Sequence, residues 1–158
     1  MKKIESFCVD HRKLNEGVYL SRIDGDVVTY DLRVCKPNTG VVLDNVTMHT
    51  TEHMIATFVR NSEISGSIIY FGPMGCQTGF YLLVRDTISA ETVLETIKDV
   101  LLKTIHHTGD VFGKSEIECG NYKTLEMEAA RKMCSVFNVI RSAMAGMCGI
   151  SIRTAITA

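Results

Sequence analysis

The chain has no C-x-x-C and no closely paired cysteines; Cys8, Cys35, Cys76, Cys119, Cys134 and Cys148 are scattered singly along it. They read as reduced thiols, some available as ligands or nucleophiles, and not as a disulfide framework. There is no basic run and the net charge is −1, which argues against nucleic acid or an anionic membrane as the main partner. No apolar run approaches the roughly 18–20 residues of a membrane span. The opening MKKIESFCVDHRKL has two lysines but no apolar block behind them. It does not read as a secretory leader, and a cytoplasmic address is expected. Repeats, linkers and low-complexity stretches are missing too. What remains is 158 residues, 46% hydrophobic and 22% charged, expected to form a single domain with room for one substantial core.

Along that chain, GVYLSRIDGDVVTYDLRVCKPN holds two β-favouring runs around Asp24-Gly25, a hairpin signal. Asp44 or Asn45 can cap a helix from Val46 to about Arg60. SIIYFG and GFYLLVRD read as strands separated by the loop PMGCQTG. Ser89 can cap a helix with Val93, Leu94, Ile97, Val100, Leu101 and Ile105 at helical spacing, closed by Gly109, and a last helix is expected from about Lys123 to Phe137. The fold class is therefore α+β, an antiparallel sheet packed with about four helices. The final ~20 residues, apolar and small-residue rich, show no clear period.

Residues 49–54 read HTTEHM. At about 100° per residue, His49, Glu52, His53 and Ala56 share one helical face, while Met48, Met54, Ile55 and Phe58 form the core-facing stripe. Imidazoles at i and i+4 can bind one ion, and a glutamate between them can reach a metal-bound water or a substrate proton, the H-x-x-E-H order of the inverzincins. The pattern alone equally admits two partly exposed histidines beside a helix-supporting glutamate.

A catalytic site of this kind usually takes a third protein ligand. Cys119 in SEIECGNY is the candidate, and a thiolate beside two imidazoles suits zinc or ferrous iron, not magnesium or calcium. Read by itself, Cys119 is as well a small buried hydrophobe. Cys76 stands among Gly72, Gly75 and Gly79, where a ligand can approach the backbone closely and an ionised thiol can act as base and acid. A tight turn that happens to hold a cysteine is the plainer alternative.

HTTEHM, GPMGCQTGFY and ECGNY, with ESFCVDH and DLRVCKPN, resemble the S-ribosylhomocysteine lyase (LuxS) family in order and spacing, from Glu5 to about Arg131. The resemblance implies a homodimer with its sites at the subunit interface. It implies one divalent ion per subunit, natively iron(II) with zinc or cobalt as substitutes, on residues matching His49, His53 and Cys119. It implies cleavage of S-ribosylhomocysteine to homocysteine and 4,5-dihydroxy-2,3-pentanedione, the precursor of the autoinducer-2 quorum signal and a step of the activated methyl cycle. Cys76 would carry the early proton shift and Glu52 the later shift and the β-elimination. Ser6, His11 and Arg33 match substrate-binding positions, Ser6 and His11 supplied across the interface. By spacing alone, Ser6 and His11 belong to a solvated arm and Arg33 to an outward strand position paired with a carboxylate.

The chain departs from many members in carrying Tyr70 and Gly72 where they have an aspartate and a serine, and its tail is not a family feature. Two other readings compete. In a zinc metallopeptidase, Glu52 would activate water against a peptide carbonyl, with no need of Cys76. In a structural metal-binding dimer protein, Glu52 has no task.

Overall fold

A computed structural model describes residues 1, 4, 7–147 and 153–154. The Asp-Gly signal makes the first hairpin: β1 (Gly17–Asp24) pairs antiparallel with β2 (Val27–Arg33), and Gly25 turns the corner at a φ of +60°. A second hairpin joins β3 (Ile68–Pro73) to β4 (Gly79–Arg85). Pairing runs on to Pro73, opposite Phe80, which is tolerated because β3 lies at the sheet edge. β4 pairs with β2, and the strand order is β3-β4-β2-β1-β5. The first four strands are antiparallel, and the two-residue β5 (Arg153–Thr154) runs parallel to β1.

Three α-helices occur among the described residues, one fewer than expected, with short 3-10 turns at Ser65–Ser67 and Tyr122–Thr124. α1 (Asn45–Arg60) is capped by Asp44, which accepts from the Thr47 amide at 2.8 Å, and α2 (Ala90–His106) by Ser89, which accepts from Thr92; each cap stabilises by about 1 kcal/mol. α2 stops at His106, short of Gly109. α3 spans Met127–Met147, later at both ends than the sequence suggests. Its start is delayed because Leu125 closes the 3-10 turn onto Tyr122 and the Glu126 amide is taken by the Thr50 hydroxyl at 3.0 Å. Its end is extended because Arg, Met and Ala are good helix formers even without a clean apolar period. Apart from β5, the tail beyond residue 147 lies outside the described residues.

Side chains alternate across the sheet. Tyr30 and Leu32 of β2, with Phe80 and Leu82 of β4, join Met48 and Ile55 of α1, Val93 and Ile97 of α2 and Phe137 of α3 in one core. Asp31 and Arg33 therefore project from the other face, where Tyr81 stands opposite Asp31 in the ladder. No described helix is long and apolar enough to cross a membrane.

Candidate active site

His49, Glu52 and His53 lie half-buried on one face of α1; Met48 and Ile55 are buried in the main core, against which Ala56 and half-buried Phe58 also pack, while Met54 is buried in a separate, smaller cluster. The segment between α2 and α3 folds back over that exposed face. Val111 and Leu125 bury themselves with Met54 and Ala130, and Phe112, Cys119 and Tyr122 pack against them. This small second core sets Cys119 beside the helix, its Sγ 3.3 Å from His49 Nε2. Donor atoms of His49, His53 and Cys119 all fall within 4.8 Å of one another.

Both imidazoles are held in the tautomer that ligation needs. The Thr124 hydroxyl donates to the Asn121 carbonyl, so its oxygen accepts from His49 Nδ1–H at 3.1 Å. His53 Nδ1–H donates to the Phe112 carbonyl at 2.7 Å. Each ring is left with an Nε2 lone pair, the usual arrangement behind a metal-binding histidine. Burial, aided by neighbouring His53, pushes the His49 pKa down and favours the neutral, ligating ring. Burial pushes the Glu52 carboxyl up, against the pull of His53. Two such imidazoles and a thiol, whose sulfur also accepts from the Asn121 amide at 3.4 Å, fit a borderline ion such as zinc or iron(II).

Close approach is possible only because residue 113 is glycine. It adopts a φ of +67°, and a Cβ there would meet His53 Nδ1 at 3.1 Å.

The thiol site lies at the β3–β4 turn. Gln77 takes a left-handed φ of 61°, its amide bonded to the Met74 carbonyl at 2.9 Å. Such non-glycine outliers cluster at functional sites. The turn is pinned to β2, since the amides of Val34 and Cys35 both donate to the Thr78 carbonyl at 3.0 Å. It is also tied to α1: Leu43 donates to the Gln77 carbonyl at 2.8 Å, and the Gln77 side chain reaches Asn45.

Cys76 is exposed at this turn, and Arg33 is 2% exposed behind it. The guanidinium donates to Thr78 Oγ1 at 2.5 Å, approaches Cys76 Sγ at 3.7 Å and pairs with the buried Asp31 carboxylate. Arg33 thus faces away from the main core and pairs with a carboxylate, as its strand position suggests, but it is buried there. Partial burial pushes the Cys76 thiol up. Hydrogen bonds from Thr78 and the charge of Arg33 outweigh that, and the thiol sits below its ordinary value. Burial pushes Asp31 up, while Arg33 and the nearby charge of His11 draw it down. His11 is half-buried on the N-terminal arm, its Nδ1 3.0 Å from the Val9 carbonyl. Ser6 lies outside the described residues.

The departures at 70 and 72 are one feature. Half-exposed Tyr70 folds its ring over Gly72, and its hydroxyl occupies the space a side chain at 72 would need.

The profile of a family described as S-ribosylhomocysteinase (LuxS) matches residues 4–144. The chain belongs to the LuxS family. It is 42% identical over 137 residues, 84% of this chain and 86% of the other, to the S-ribosylhomocysteine lyase of Desulfotalea psychrophila. The corresponding lyase of Finegoldia magna is 40% identical over 149 residues, 89% of this chain and 95% of the other. That of Borreliella afzelii is 40% identical over 136 residues, 83% and 87%. The LuxS match continues past Arg131 to residue 144, into the part of α3 where the resemblance was expected to fade.

Four residues that shape this candidate site escaped the sequence reading: Asp31, Thr78, Gly113 and Thr124. Asp31 and Thr78 lie inside the motifs that carried the resemblance, two residues before Arg33 and two after Cys76; on the strand that spacing places Asp31 and Arg33 on one side, while Thr78 meets Cys76 across a turn. Nothing local marks the other two.

Proposed function

We propose that this chain is a metal-dependent carbon–sulfur lyase that converts S-ribosylhomocysteine to homocysteine and 4,5-dihydroxy-2,3-pentanedione. The observation that carries the reading is the convergence of His49, His53 and Cys119 in a LuxS chain that also holds a buried arginine behind an exposed thiol. His49, His53 and Cys119 would hold the ion, iron(II) or a substitute. When bound, it supplies Lewis-acid stabilisation to negative charge developing on the sugar oxygens.

Cys76, ionised beside Arg33, takes a proton from the carbon next to the aldehyde and returns it to C1, so the carbonyl moves to C2. Glu52, whose pKa burial raises, does the same at the next carbon pair and brings the carbonyl to C3. The C4 proton is now acidic. Glu52 removes it, a C4–C5 double bond forms, and the C5–S bond breaks to release the homocysteine thiolate; the enol left behind gains a proton at C5 and loses its O4 proton to become the diketone. Ser6, His11 and Arg33 are the substrate-orienting groups in this reading.

The protein works as a cytoplasmic homodimer with its sites at the subunit interface. The pentanedione cyclises to a quorum-signal precursor, and the homocysteine returns to the activated methyl cycle.

The test is incubation of iron(II)-loaded protein with S-ribosylhomocysteine while a thiol reagent reports homocysteine. Thiol release that disappears in Cys76→Ala supports the reading. Peptide cleavage with no thiol release would favour the metallopeptidase, which the family and its named lyases do not.

A further inference from the structure

Thr78 is 6% exposed, and its side chain stands between two functional groups: Oγ1 receives Arg33 Nη1–H at 2.5 Å and lies 3.0 Å from Cys76 Sγ. A guanidinium can only donate, so one lone pair of the hydroxyl oxygen is committed to Arg33. The single hydroxyl proton must then point elsewhere, and the acceptor within reach is the sulfur. An ionised sulfur has no proton to give back, so in the thiolate state the direction of that bond is fixed. The geometry is not left to the side chain. The amides of Val34 and Cys35, just past β2, clamp the Thr78 carbonyl, and the left-handed Gln77 lies between Cys76 and Thr78. Asp31, buried and paired with Arg33, keeps the guanidinium from swinging away.

We propose that Thr78 is a positioning residue for Cys76, its hydroxyl aimed by Arg33 at the sulfur so that the anion is held ready before substrate arrives. The proposal rests on Cys76 as the early base of the lyase reaction. The charged and titratable groups around the sulfur are Arg33 and Asp31 on β2, Tyr81 on β4, and His11 on the arm behind Asp31.

The experiment is alkylation of Cys76 by iodoacetamide across a pH series, read by mass spectrometry of the peptide that contains it, alongside lyase rates at the same pH values. Loss of one hydrogen bond to a charged sulfur corresponds to about one pH unit. Thr78→Val should therefore raise the alkylation midpoint by about that much, and its lyase rate should fall most at the acid end and recover at the alkaline end. Thr78→Ser keeps the hydroxyl and should follow wild type. Should the valine variant fail to fold, Thr78→Ala is read in the same way. An unmoved midpoint in Thr78→Val, or an equal shift in Thr78→Ser, overturns the proposal. Its failure is separable from that of the underlying reading, because full lyase activity in Cys76→Ala would remove the base while saying nothing of the alkylation shift.

Discussion

Gly113 stands against the ring of His53, on a backbone of φ +67°, with a gap so narrow that a Cβ would lie 3.1 Å from Nδ1. The same residue follows Phe112, whose carbonyl holds that nitrogen at 2.7 Å. Gly113→Ala should therefore cost about 1 kcal/mol or more of stability through the left-handed backbone. It should also tilt the ring and weaken ion binding. Chelator competition should show metal affinity falling, and a thermal melt of the metal-free protein should separate the two effects.

Thr124 makes a cleaner case, because its hydroxyl fixes the His49 tautomer without crowding the ring. Thr124→Val should lower metal affinity roughly 10–100-fold, the usual effect of removing a partner behind a ligand. Thr124→Ser should stay near wild type. Chelator titration of both variants checks this, and equal affinities would show that the ring needs no such support.

Ligands and proton carriers should separate by metal content. His49→Ala and Cys119→Ala should lose the ion. Cys76→Ala and Glu52→Gln should keep it near wild type while turnover falls by about 10²-fold or more, the scale of general acid–base catalysis. Elemental analysis paired with thiol release gives both readings on one sample. Full activity in Cys76→Ala would defeat the assignment of two bases.

Acidity gives a further test. Because Thr78 and Arg33 hold the Cys76 thiol below its ordinary value, the reactive anion is present at lower pH than in a free thiol. Rate should rise with pH and level off early. Arg33→Met removes a cation that favours the anion, so the acid limb should move upward and the loss should be largest on the acid side. Equal losses at every pH would assign Arg33 a binding role alone.

The remaining thiols should behave differently. Cys134 is fully buried and pushed up to about 12 by that burial. A thiol reagent should label Cys76 in the native protein and reach Cys134 only on unfolding. Early labelling of Cys134 would mean that α3 opens readily.

How much of this was legible in the sequence depends on how far apart the partners lie. The face shared by His49, Glu52 and His53 follows from helical spacing, and Asp44 and Ser89 mark their helices by local hydrogen bonding alone. The Asp24-Gly25 hairpin is equally local. What closes the site is not. Thr124 reaches His49 across 75 residues and the Phe112 carbonyl reaches His53 across 59, and no periodicity encodes either. Nor could spacing distinguish a solvated Arg33 from a buried one, since that depends on Asp31 and on the turn folded back from Thr78. The late start of α3 has the same origin, in a hydroxyl oxygen of another helix that accepts from the Glu126 amide.

Tyr70 and Gly72 carry one more implication. Since the phenol fills the volume that any larger residue at 72 would claim, a change at 72 must first displace the ring, while a smaller residue at 70 meets no such obstacle. A serine at 72 would have to turn the half-exposed phenol outward, whereas a smaller residue at 70 would leave that space free. The order of exchange therefore matters: position 72 becomes free to enlarge once position 70 has shrunk.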